Sequence, residues 1–100
     1  MSVKLLMTWD IKQGREQEYF EFVVREFIPA IQRLGMETSD AWFTMYGECP
    51  QIMVGAVSSD QKSLEATLET VEWEQMVDKL LEYVENFEYK IVPARRGFQL

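Results

Sequence analysis

The chain contains no histidine, one cysteine, three prolines and five glycines among its 100 residues. Each shortage removes a class of chemistry. Without histidine there is no axial haem ligation by imidazole, no histidine general base and no ordinary histidine-containing metal site. One cysteine, Cys49, forbids an internal disulfide framework and fits a reducing, cytoplasmic compartment. Basic residues are also scarce, 10 against 17 acids, for a net charge of −7. Such a surface repels phosphate backbones and anionic lipid, so neither nucleic acid nor a membrane is an expected partner. No long apolar run occurs. The opening "MSVKLLMTWD" is broken by Thr8 and Asp10, so it reads as a strand rather than a signal peptide or a membrane span. No glycine-rich phosphate loop and no zinc-ligand spacing is present, and no cofactor or metal is called for.

What is abundant is material for a core. Hydrophobic residues make up 47% of the chain and aromatics 13%, which excludes a disordered polymer. The length fits one domain over residues 1–100. A domain this small buries only about 60–70% of the surface of its unfolded chain, so self-association would add burial it lacks.

The hydrophobic pattern changes period along the chain. In "VKLLMTWDI", Val3, Leu5, Met7, Trp9 and Ile11 alternate with Lys4, Leu6, Thr8 and Asp10, which is a strand with one apolar and one mixed face. Gly14 then offers a helix N-cap, with Glu16 and Glu18 in the first turn, where acids suit the helix dipole. Phe20, Val23, Val24, Phe27, Ile31 and Leu34 recur at helical spacing up to Gly35, a C-terminal cap. Pro29 inside that run predicts a kink or a break into two helices.

"DAWFTMYGECPQIMVGAV" predicts a hairpin: Ala41 to Tyr46 as one strand, "GECPQ" as the turn, and "IMVGAV" as a central strand. A second helical region carries Leu64 and Leu68 in one stripe, then Trp73, Met76, Val77, Leu80, Leu81 and Val84 in another, with Thr70 as a cap between them. "FEYKIVPA" reads as a last strand, and Pro93 assigns it to an edge. A short basic tail, "RRGFQL", follows.

The order is therefore β-α-β-β-α-β. Right-handed crossovers turn it into an α+β, ferredoxin-like sandwich with antiparallel strand order 4-1-3-2 and helices on one face. The other face would carry Leu6, Thr8, Trp42, Tyr46 and Met53, too apolar a set to stay bare. A second copy related by a two-fold axis is the simplest cover.

Three stretches, "IKQGREQEYFEFV", "FIPAIQRLG" and "LETVEWEQM", give the chain a resemblance to the dimeric α/β-barrel superfamily, nearest to NIPSNAP-like and antibiotic-biosynthesis-monooxygenase-like proteins. The resemblance implies a homodimer whose two sheets close into one barrel. It also implies a small apolar or aromatic metabolite bound inside. Several such proteins use histidine, which this chain does not have, and Asn86, its only asparagine, reads as lying near a helix end, so the Asn/Trp/Tyr set proposed for cofactor-free monooxygenases is incomplete.

The candidate ligand-binding residues are Thr8 and Asp10 on the mixed face of the first strand, with Trp42 and Tyr46 on the hairpin. Trp42 and Tyr46 equally suit a dimer interface, where both residue types are enriched. Cys49 sits beside Glu48, which opposes a thiolate, and Arg95 and Arg96 suit either a ligand anion or acidic surface on a partner subunit. Three functions follow: a binding protein for an apolar metabolite, a cofactor-independent monooxygenase or isomerase with Tyr46 and Asp10 handling protons, and a ligand-free interaction or regulatory module.

Overall fold

The computed structural model describes residues 2–46 and 49–94, and their side chains apart from those of residues 39–46 and 49–51. Strand β1 (Val3–Ile11) leads into helix α1 (Glu16–Phe22), a π-helical turn (Val23–Phe27) and helix α2 (Ile28–Arg33). Strands β2 (Glu37–Tyr46) and β3 (Cys49–Ser58) form the hairpin. Helices α3 (Gln61–Leu68) and α4 (Val71–Leu80) precede β4 (Val84–Pro93). The sheet runs β2-β3-β1-β4 with every neighbouring pair antiparallel, which is the expected 4-1-3-2 order read from the other edge. Pro93 does lie on an edge strand.

The alternation in β1 decides which face meets the helices. Val3, Leu5, Met7, Trp9 and Ile11 are all buried, joined by Ile52, Val54 and Ala56 of β3. Against them pack Tyr19, Phe22, Phe27 and Ile31 from the first helical segment and Leu64, Trp73 and Leu80 from the second. At about 1.5–3 kcal/mol for each large side chain fully withdrawn from water, this single layer dominates the stability of the domain.

The first helix corrects the expected stripe. Phe20 and Val24 are exposed, while Tyr19 and Phe22 are buried. The cause is the π turn, in which the Ile28 amide donates to the Val23 carbonyl five residues back. Pro29 has no amide and its ring crowds the preceding turn, so the ladder widens just before it. The inserted residue shifts the phase by one position: Phe27, Ala30 and Ile31 continue the buried face begun by Tyr19 and Phe22. The helix thus changes pitch without a clean break.

Its end follows the expected chemistry. Gly35 has φ +89°, its amide donates to Gln32 and the Met36 amide donates to Ile31, a Schellman closure with Ile31 and Met36 buried together. At the start, by contrast, Gly14 is not the cap. Arg15 holds that position with no side-chain cap bond, and Gly14 (φ +85°) makes the turn before it. Thr70 caps α4 by accepting from the Trp73 amide at 3.2 Å, as its sequence position predicts, and Asp60 caps α3 by accepting from Ser63 at 2.7 Å.

Element boundaries also move. The hairpin strands extend past the expected limits, with Cys49 and Pro50 inside β3. Helix α4 stops at Leu80, so Leu81 is exposed and Val84 opens β4 instead of ending a helix. Asn86 therefore lies within a strand.

Candidate functional site

Every described helix that packs on the sheet does so on one side, so the opposite face is where the chain leaves side chains without cover. Along β1 it presents Leu6, Thr8 and Asp10, all half-buried. The ladders place their neighbours. Thr8 pairs with Met53 on β3 and Glu88 on β4, and Asp10 pairs with Gln51 and Glu85. Trp42 lies across from Met53, so Thr8, Met53 and Trp42 form one row of the sheet. Tyr46 lies across from Cys49, two residues along the ladder beyond Gln51 and Asp10. Of the four predicted residues, the backbone thus brings Thr8, Asp10 and Trp42 into two rows of one face, two residues apart along β1, and sets Tyr46 past the end of β1. The side chains of Trp42, Tyr46 and Cys49, and the whole of Arg95 and Arg96, lie outside the described residues.

Asp10 has a partner that its sequence neighbourhood does not suggest. β4 carries one extra residue between Glu85 and Glu88, opposite Trp9, and Asn86 there adopts φ +58°. This is a β-bulge with a left-handed residue, a conformation asparagine tolerates better than other non-glycine residues. The Asn86 amide donates to Asp10 Oδ2 at 2.8 Å. The face is therefore graded, with apolar Leu6 and a partly exposed Met53 near its centre, the exposed Lys90, Glu88 and Glu85 along its β4 edge, and a carboxylate–amide pair at one end.

The helix-covered side is full. Trp9 is packed edge-on by Tyr19 and Phe27 and stacked on Phe87 at 6.0 Å, with Phe22, Trp73 and Tyr83 extending the aromatic cluster. Within it Trp9 Nε1 donates to the Tyr19 hydroxyl at 2.9 Å. Burial pushes the Tyr19 phenol up to about 12, the Trp9 hydrogen bond offsetting only part of that. A perturbed group in a closed pocket would mark an active site, but Tyr19 is sealed among aromatic rings and satisfies Trp9. Its position was missed because the constant helical period assigns the inward place to Phe20.

A groove of about 620 Å³ opens at the other end of the sheet between Ser2, Val3, the start of α3 at Asp60–Ser63, and Ile91–Pro93. None of the predicted site residues reaches it. Among the described residues, no group of three or more cysteines and acids is placed to hold a metal ion, and no helix is long and apolar enough to cross a membrane.

Comparison with solved structures fixes the fold. A NIPSNAP family protein from Agrobacterium tumefaciens is similar over 92% of this chain and 91% of its own, with a TM-score of 0.72 at 19% identity. This chain has the same ferredoxin-like α+β fold. The same fold extends to a cofactor-independent oxygenase, SnoaB from Streptomyces nogalater, which matches over 96% of this chain and 95% of its own with a TM-score of 0.70 at 13% identity. A putative antibiotic biosynthesis monooxygenase from Nitrosomonas europaea matches over 93% and 89% with a TM-score of 0.67, also at 13% identity. No protein-family profile and no curated protein sequence matches the chain. This ferredoxin-like architecture is shared by proteins of differing chemistry, and residue roles do not transfer at such identities.

Proposed function

We propose that the protein is a cytoplasmic homodimer, one domain per chain, that holds a small apolar or aromatic metabolite between its paired sheets. The observation that carries this reading is the uncovered sheet face, where Leu6 and Met53 lie beside the Asp10–Asn86 pair. Four strands about 4.8 Å apart and about 33 Å long offer about 600 Å² in plan. That approaches the roughly 800 Å² each partner contributes to a standard stable interface. A second copy of the same face would supply a matching apolar centre with the exposed Glu85, Glu88 and Lys90 of β4 along its edge, and a bulky ligand between two such faces would meet an apolar middle bordered by polar groups. Thr8, Asp10 and Trp42 would line that space, with Tyr46 at its edge.

The test joins sedimentation analysis with NMR. The expected result is a dimer that becomes monomeric in Met53→Asp, and amide shifts on adding 2-naphthol that concentrate at Leu6, Thr8 and Met53. A monomeric wild type, or shifts confined to the groove near Asp60 and Pro93, would overturn it.

A second reading, a cofactor-independent oxygenase, is favoured by one specific observation: the fold is shared with SnoaB and with the Nitrosomonas protein. Oxygen uptake in the presence of reduced polycyclic phenols would support it. Uptake no faster than in buffer, and unchanged in Asp10→Ala, would leave the binding function alone.

A further inference from the structure

The bulge in β4 does two things with one inserted residue. In an unbroken antiparallel ladder, the residue opposite Trp9 would send its side chain to the helix-covered face. Phe87 takes that role here, stacking on the Trp9 ring at 6.0 Å with an interplanar angle of 24°. Asn86 is the surplus residue, and its left-handed backbone turns its amide across to Asp10 on the uncovered face. A carboxylate on a strand ordinarily rotates freely about its last bond. Here one oxygen, Oδ2, is anchored at 2.8 Å, which fixes the plane of the group. Its second oxygen, Oδ1, has no hydrogen-bond partner among the described residues. The acceptor therefore stands at the end of the β1 row, two residues from Thr8 and four from Leu6, with the exposed Glu85 across from it on β4 and Glu88 across from Thr8.

We infer that Asn86 is a positioning residue that presents Asp10 Oδ1 to the sheet face, so that the metabolite held there carries a hydrogen-bond donor, O–H or N–H, at one end of its apolar body. This rests on the sheet face being a small-molecule site. It adds a specific chemical demand, because an apolar body alone would leave the carboxylate desolvated without a partner.

The experiment compares 2-naphthol with 2-methoxynaphthalene, which has the same rings and no donor, by titration calorimetry on the wild type, Asn86→Gly, Asn86→Asp and Asp10→Ala. Glycine keeps the left-handed backbone and deletes only the amide. Aspartate also tolerates that backbone but offers a second carboxylate where the donor was. The wild type is expected to bind the naphthol about tenfold more tightly than the ether, as one hydrogen bond to a charged group implies. In all three variants the preference should fall below about twofold while affinity for the ether holds, a pattern that mere loss of structure would not give. Equal binding of both probes to the wild type overturns the donor requirement and leaves the sheet-face site standing. A preference that survives in both Asn86 variants overturns the role of Asn86. If neither probe binds the wild type, the sheet-face reading fails, and the donor requirement with it.

Discussion

Replacing Tyr19 by Phe tests the packing logic of the core with two independent signatures. Trp9 and Tyr19 are almost fully buried, at 1% and 2% exposure, and joined by a 2.9 Å hydrogen bond. Phenylalanine fills the same ring volume but leaves the Trp9 N–H with no acceptor in an apolar site. The expected cost is about 1–3 kcal/mol, the desolvation penalty of one orphaned donor. In a 100-residue domain each kcal/mol corresponds to roughly 4–8 °C in Tm.

The second signature is pH dependence. The Tyr19 phenol titrates near 10 when unfolded and at about 12 when folded. Below pH 10 it is protonated in both states, so it adds no slope. Between the two values the unfolded chain releases a proton the folded one keeps, and stability falls as pH rises. The loss in the wild type is about 1.4 kcal/mol by pH 11 and approaches 2–3 kcal/mol above 12. Tyr19→Phe has no such group, and the remaining tyrosines are common to both proteins. Urea unfolding at pH 8 and pH 11 should therefore show the variant less stable at pH 8 and the gap narrowed by about 1.4 kcal/mol at pH 11. A gap that stays constant, or a variant as stable as the wild type at pH 8, would refute the argument that Tyr19 is buried, neutral and satisfying Trp9.

The caps and turns give further expectations. Thr70→Ala removes the acceptor for the Trp73 amide and should cost about 1 kcal/mol in urea unfolding, with Thr70→Ser recovering most of it. Gly35→Ala meets no atom within 4 Å, so its cost is backbone strain alone at φ +89°, about 1–2 kcal/mol by the same assay. The Asp60 carboxyl is held below its usual range, chiefly by the Ser63 amide. Its capping contribution is thus complete above the unfolded value and fades as pH falls through the lowered one. Asp60→Asn should keep the cap and flatten that acid limb in a thermal melt followed from pH 5 to pH 2. Leu80→Ala, at a site with no exposure, should cost about 2–5 kcal/mol, whereas Leu81→Ala on the exposed side should cost far less.

The amino-acid order by itself determined the β-α-β-β-α-β succession, the inward face of β1, the Schellman stop at Gly35, the Thr70 cap and the edge placement of Pro93. Each follows from local rules: a two-residue alternation, a glycine free to take positive φ, a hydroxyl one turn ahead of an orphan amide, a ring without N–H. Those rules, with the handedness of crossovers, were enough to reach the strand order.

Tertiary structure alone decided the rest. Whether Tyr19 or Phe20 turns inward depends on an extra residue in the π turn, which no constant period reveals. Val84 and Asn86 have the composition of a helix tail, and pairing with β1 makes them strand. The contact between Asp10 and Asn86 spans 76 positions in the chain and exists because a bulge in an edge strand turns one side chain onto the opposite face. Local sequence sets the conformations a segment can take. Which one it takes, and which distant groups then meet, is set by the packing of the sheet against its helices.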